Sequence, residues 1–342
     1  MRYLNVGTNR KISAIGLGTW QFGSREWGYG DLYASREAHA IVRRAVELGV
    51  TLFDTAEIYG SGRSERILGG ALGEDRESVF LATKMVPVVP SALAVRQRAA
   101  ASARRLGVSR LDLYQVHRPN PLVPDRTIMR GMRSLQRSGL VDEVGVSNYS
   151  LERWRAAEEK LGGRVLCNQV RYSLVDRQPE RDLLPFAEAH GHVIIAFSPL
   201  AQGMLSGKYH GAAPPVDAIR TTSPLFRQEN LERTNDLIVA LREVADAHSA
   251  SPAQIALAWA IHHPAVAAIP GASSVEQLES NVAAAEIELA DNEYQALDKA
   301  SARFLPSTVQ EAPDRLNLSA LEHSAKGGWS VAKTVWRDLY RQ

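Results

Sequence analysis

Short apolar runs punctuate the chain at 14–18, 51–55, 79–83, 111–116, 141–146, 165–170, 193–197 and 266–270, each followed by a longer amphipathic or alanine-rich stretch. The runs are continuous rather than alternating, as in parallel strands buried on both faces, and the stretches between them are long enough for crossover helices. Helices are predicted at 35–48, 64–72, 92–106, 126–137, 151–161, 181–190, 231–248, 252–262 and 275–285. Ser64 and Ser150 stand as small polar caps before acidic first turns, and Ser251 followed by Pro252 sets an N-cap with a first-turn proline. Eight strand–helix repeats predict an α/β fold, a closed (β/α)8 TIM barrel.

The spacing breaks once, between 197 and 231, where Gly203, Gly207, Gly211, Pro214, Pro215 and Pro224 predict a long irregular loop of functional importance. Segments 2–6 and 11–13 flanking Gly7 predict a hairpin that plugs the bottom of the barrel. No linker divides the chain. The reading is one domain over 1–342, with the hairpin at 1–13, the barrel at 14–300 and a polar tail at 301–342 that carries Trp329 and Trp336.

The formal net charge is +2, from 40 Lys and Arg against 38 Asp and Glu, so no broad basic field holds a nucleic acid or an anionic membrane. Small-molecule partners become the expectation. Cys167 is the sole cysteine, which excludes an intramolecular disulfide and fits a reducing cytoplasm. The first 13 residues do not read as a secretory signal, and no apolar stretch has membrane-spanning length. Gly16 and Gly18 lack the third glycine of a Rossmann fingerprint, and neither a P-loop nor a His-Glu-x-x-His motif occurs. The adjacent His262 and His263 diverge on a helix, so no metal site is expected.

In an α/β barrel the active site lies at the C-terminal ends of the strands. The polar residues that end the apolar runs are Asp54, Lys84, His117, Ser147 with Asn148, Gln169 and Ser198. Asp54 is followed five residues later by Tyr59, with Gly60 allowing the chain to turn back. Each residue alone could be a cap or an ion pair, but together they converge on one rim.

Segment 53–60 resembles the aldo-keto reductase signature, and Lys84 and His117 complete that family's tetrad with Asp54 and Tyr59. The similarity extends from Gly18 to Asn281. It implies an NADPH-dependent oxidoreductase that reduces an aldehyde or ketone to an alcohol, with Tyr59 as general acid. Elementary chemistry agrees with these roles. A phenol near pKa 10 is a poor acid at neutral pH, an adjacent Lys84 ammonium lowers that value, and Asp54 keeps the lysine charged. His117 is the second donor, orienting the carbonyl as negative charge builds on its oxygen. A buried Asp–Lys pair with a packing Tyr and a core His is the competing reading.

The resemblance also implies a cofactor surface. Ser147, Asn148 and Gln169 match the residues that hold the nicotinamide carboxamide. Phe197 stands at the stacking position, often Tyr or Trp, and Ser198, Pro199, Leu200, Gln202, Gly203 and Lys208 match the pyrophosphate loop, with Arg220 as a further cation. Segment 269–281, which follows the last strand and opens a helix, resembles the adenosine 2′-phosphate segment, with recognition assigned to Ser273, Gln277 and Asn281. Gly271 and Gln277 stand where many relatives have Lys and Arg, a variant shared with the branch that includes the Shaker-channel β subunits. Gly18 and Thr19 would bring backbone to the nicotinamide. Trp20 would line the substrate mouth beside Tyr59 and His117, and Trp27, Tyr29 and Trp329 are further candidates for an apolar pocket.

Two function classes stay open at this level. One is a catalytic carbonyl reductase. The other is a cofactor-binding redox sensor or regulatory subunit with little turnover, against which the retained His117 argues. A barrel isomerase or lyase would leave Ser147, Asn148, Gln169 and segment 269–281 unexplained.

Overall fold

The computed structural model describes residues 1–7, 10–23, 36–88, 91–120, 122–209, 213–216 and 218–304. The proposed tail beyond 304, with Trp329 and Trp336, and the pocket candidates Trp27 and Tyr29 lie outside the described residues.

The chain opens with an antiparallel hairpin, β1 (Tyr3–Val6) and β2 (Arg10–Ser13). Eight parallel strands follow: β3 (Leu17–Gly18), β4 (Leu52–Asp54), β5 (Phe80–Met85), β6 (Leu111–Val116), β7 (Val141–Ser147), β8 (Cys167–Arg171), β9 (Val193–Phe197) and β10 (Val266–Ala268). They pair in sequence order, and parallel bridges Ile15–Ala268 and Gly18–Gly271 join the last strand to the first, so the sheet closes on itself. At that seam the backbones approach closely: a Cβ on Gly18 would lie 2.8 Å from the Ile269 carbonyl oxygen.

The helices are α1 (Ala38–Glu47), α2 (Arg63–Leu72), α3 (Ala92–Leu106), α4 (Asp125–Arg137), α5 (Leu151–Leu161), α6 (Leu183–His190), α7 (Ala218–Thr221), α8 (Gln228–Arg233), α9 (Asn235–Ala247), α10 (Pro252–Ala260), α11 (Val275–Ala283) and α12 (Asp291–Arg303). The longer helices bury one apolar stripe. In α1 the buried residues Ala38, Ile41, Val42 and Ala45 follow helical spacing, and Ile128, Met129, Met132 and Leu135 do the same in α4. Ser150 caps α5 by accepting from Arg153 N, and Ser251 forms a capping box with Gln254 at the start of α10.

Three expectations are corrected. Ser64 does not cap α2, whose N-cap is Gly62; its hydroxyl instead donates to Thr19 O at 2.7 Å and contacts Thr55 Oγ1 at 3.0 Å, stitching the β3 and β4 loops together. Segment 198–230 is not structureless, because short helical turns at Ala201–Ser206 and Pro224–Phe226 together with α7 and α8 shape it. The helix expected at 231–248 is divided at Thr234 into α8 and α9.

The hairpin covers the N-terminal ends of the strands. Ser13 N donates to Thr51 Oγ1 at 2.8 Å, Thr51 N donates to Ser13 Oγ at 3.0 Å, and Arg10 ion-pairs with Asp112 near the start of β6. With the bottom plugged by Leu4, Val6 and Ile12, the opposite rim is the open end.

Candidate active site

Asp54 is the last residue of β4, and Lys84 lies next to last in β5 rather than just beyond the strand. Both side chains are buried. The Lys84 ammonium donates to Asp54 Oδ1 at 2.6 Å, to Thr55 O at 2.8 Å and to Tyr59 Oη at 3.3 Å, which uses its three protons. Burial disfavours that charge, but Asp54 and Tyr59 outweigh the effect and hold the lysine above its ordinary pKa. The second carboxylate oxygen of Asp54 accepts from Gln169 Nε2 at 2.8 Å and from Gln115 Nε2 at 3.4 Å. Removing either partner of so fully bonded a buried ion pair would leave an uncompensated charge, which is strongly destabilising.

Tyr59 sits on the β4–α2 loop, its ring edge-on to His117 with centroids 5.7 Å apart. The expectation that Lys84 brings the phenol below its ordinary pKa is corrected. Burial pushes it up, Lys84 opposes this, and the balance lies above the ordinary value. The phenol is therefore protonated throughout the neutral range.

His117 follows β6 directly, anchored by its amide to Met85 O at 2.8 Å. Burial first, then the charges of Lys84 and Arg118, lower its pKa to about 3, so the imidazole is neutral. Its Nδ1 is buried without a hydrogen-bond partner among the described residues. Trp20, 39% exposed, lies with its ring 6.2 Å from that of Tyr59. Thr19 is turned inward, donating from Oγ1 to Asp54 O at 2.9 Å, so its side chain braces the strand ends.

The residues assigned to the cofactor fall on the same rim. Ser147 Oγ donates to Gln169 O at 2.8 Å, and Asn148 Nδ2 donates to His117 O at 3.2 Å and to Ser147 Oγ at 3.0 Å. Phe197 ends β9, half-buried, with the Arg171 guanidinium 5.8 Å from its ring centroid. The loop from Ser198 through Pro199 and Leu200 to Gly207 is conformationally costly. Among the described residues six non-glycines have positive φ, and Asn148, Ser198, Ala201 and Gln202 are four of them. Each such residue costs on the order of 1 kcal/mol, and strain of this kind concentrates where function requires it. Lys208 and Arg220 gather beside Gly203 and flank the Tyr209 ring, while Arg220 Nε donates to Gln202 O at 2.7 Å. Gln202 Oε1 is buried without a hydrogen-bond partner among the described residues.

Beyond β10 the loop is internally braced. Ser273 donates from N and Oγ to Gln277 Oε1 at 2.7 and 2.8 Å, and Asn281 Nδ2 donates to Gly271 O at 3.2 Å. Gln21, absent from the sequence reading, explains Gly271: its amide donates to Ala272 O at 2.8 Å, and a Cβ at 271 would lie 2.9 Å from its Oε1.

Gln115 and Glu57 were also missed. Gln115 is a buried amide within an apolar strand run, a signal the sequence does carry. Glu57 accepts from Val86 N at 2.6 Å and pairs with Arg98, tying the loop of Tyr59 to the end of β5 and to α3. Among the described residues no group of three or more His, Cys, Asp or Glu could hold a metal ion, and no helix is long and apolar enough to cross a membrane.

A closed parallel barrel with a lysine, a carboxylate, a phenol and an imidazole gathered at the open rim defines a barrel enzyme site. The aldo/keto reductase family model matches residues 14–302, and the chain belongs to that family. It is 56% identical over 306 residues to an uncharacterized oxidoreductase of Mycobacterium tuberculosis, covering 90% of this chain and 94% of the relative. Methylglyoxal reductase YeaE of Escherichia coli is 34% identical over 290 residues, 84% of this chain and 91% of that protein. Among solved structures, an aldo-keto reductase from Klebsiella pneumoniae in complex with NADPH superposes with a TM-score of 0.72 at 31% identity, covering 90% of this chain and 96% of that one.

Proposed function

We propose that the protein binds NADPH and reduces an aldehyde or ketone to the alcohol. One observation carries this reading: Lys84 bridges Asp54 and Tyr59 beneath the rim, with the neutral His117 ring set edge-on to the phenol.

The residues fit the cofactor. The orphaned Gln202 Oε1, the strained backbone between 198 and 203 and the cations Lys208 and Arg220 beside Gly203 support a dinucleotide on this loop. Asn148 and Gln169 would hold the carboxamide through their side-chain oxygens, since their amide nitrogens are engaged by His117, Ser147 and Asp54. The Phe197 ring would offer its open face to the nicotinamide. Lys208 and Arg220 would meet the pyrophosphate, and Ser273, Gln277 and Asn281 would shape the adenosine end. When bound, NADPH supplies the hydride.

The chain's own part is proton transfer and electrostatics. Tyr59 holds its proton at neutral pH and gives it to the developing alkoxide oxygen. Lys84, already charged, stabilises the phenolate left behind. A neutral His117 donates one N–H to the same oxygen and fixes the carbonyl's direction.

The test is titration of the purified protein with NADPH and separately NADH, followed by tryptophan quenching, then addition of aldehydes while absorbance at 340 nm is recorded. Tight NADPH binding with absorbance loss supports the reading. Absence of binding by either nucleotide overturns it.

A further inference from the structure

The mouth of the site has a chemical character that the reaction itself does not require. Trp20, Ile58, Val88 and Leu122 are large hydrophobic side chains left exposed, and they sit on the loops that follow β3, β4, β5 and β6. Scattered exposed hydrophobics are ordinary, but one on each of four successive loops of the catalytic rim makes an apolar border. Two of these loops are tied together, because Asn120 Nδ2 donates to Pro87 O at 2.7 Å.

Within this border stands Arg118. It is exposed, directly follows His117, and among the described residues has no hydrogen-bond or ion-pair partner. Other arginines around the rim are engaged: Arg98 with Glu57, Arg153 with Asp125 and Arg171 with Asp176. Arg118 shares the loop after β6 with Leu122, and its charge acts to lower the pKa of both Tyr59 and His117. A guanidinium presents a planar fork that matches a carboxylate, and a cation without a partner among the described residues, set in an apolar border, draws anions toward it.

We propose that the site takes carbonyl compounds combining an apolar or aromatic body with one carboxylate, and that Arg118 selects for that charge. This rests on the reductase reading, and it assigns to that reading a substrate class. The apolar body lies along Trp20 and its neighbouring loops, the carbonyl oxygen meets Tyr59 and His117, and the distal carboxylate meets Arg118.

The test compares kcat/KM for 4-carboxybenzaldehyde and 4-methylbenzaldehyde with NADPH and the full chain, in wild type, Arg118→Met and Arg118→Lys. The ratio of the two substrates is the readout, which cancels any general effect of substitution. Wild type is expected to favour the carboxylate at least about tenfold at low ionic strength, a difference of about 1.4 kcal/mol. Arg118→Met removes that preference through the KM of the anion, Arg118→Lys keeps part of it, and added salt shrinks it in wild type. An unchanged ratio in Arg118→Met overturns the proposal while leaving the reductase reading intact. If neither aldehyde turns over, the nucleotide titration still decides the reductase reading, and calorimetric binding of 4-carboxybenzyl alcohol against 4-methylbenzyl alcohol decides the anion selectivity by the same comparison of variants.

Discussion

The side-chain amide of Gln169 on β8 reaches Asp54 Oδ2 on β4 at 2.8 Å, linking two strands that are not neighbours in the sheet. The carboxylate is thereby fixed from both sides, by Lys84 on one oxygen and by Gln169 on the other. Replacing Gln169 with Leu leaves a buried carboxylate oxygen with only the longer Gln115 contact. We expect a loss of about 1–3 kcal/mol in denaturant unfolding and a lower kcat; unchanged stability would show that the contact carries little.

Lys84→Met goes further, leaving Asp54 buried without a counter-charge. The expected cost is about 3–5 kcal/mol, read from the shift in denaturation midpoint. Asp54→Asn in the same background should recover part of it, because the uncompensated charge is then gone.

Tyr59→Phe removes the proton donor while keeping the ring beside Trp20 and His117. Turnover should fall by roughly 10²–10⁴-fold while NADPH affinity stays nearly intact, measured by single-turnover absorbance and fluorescence titration. Parallel loss of binding would contradict the assigned role.

His117 provides a pH prediction. Its folded pKa of about 3 lies below the ordinary 6.5, so the unfolded chain accepts a proton that the fold resists. Its contribution to stability is full above pH 6.5 and is lost as pH falls toward 3. His117→Asn should therefore flatten the acid limb of a plot of Tm against pH. A limb of equal steepness in the variant would place the acid sensitivity elsewhere.

Gly271→Ala should destabilise the protein through the close approach to Gln21 Oε1, and Gln21→Ala should relieve that penalty. A double-mutant cycle by thermal denaturation should give a coupling of about 0.5–3 kcal/mol, whereas additive effects would mean that the amide moves aside freely.

Much of this was legible from residue order. Continuous apolar runs marked strands buried on both faces, and a polar residue at the end of a run marked the rim, which placed Asp54, His117, Ser147 and Gln169. Lys84 was displaced inward because β5 continues to Met85, past the point where the apolar pattern stops. Ser64 misled for a physical reason: a serine before an acidic turn reads as a cap, yet its hydroxyl was needed by Thr19 and Thr55 once the loops met. Gln21 takes its importance from a partner far along the chain, Ala272, which no local pattern announces; Gln115 stands out as an amide inside an apolar run, but its reach to Asp54 is not written locally. The balance of burial against charge at Tyr59 likewise depends on three-dimensional enclosure.

The seam at Gly18 and Gly271 joins two segments about as far apart in the described chain as the barrel allows. The first barrel strand, β3, finds its second partner only when nearly the whole described chain has been made, so an emerging polypeptide would carry two unpaired strand edges until β10 arrives. Pairings of such long reach are slow to form and leave early fragments prone to stick to one another. A chain cut before Val266 would thus be an aggregation hazard, even though it holds all of Asp54, Tyr59, Lys84 and His117.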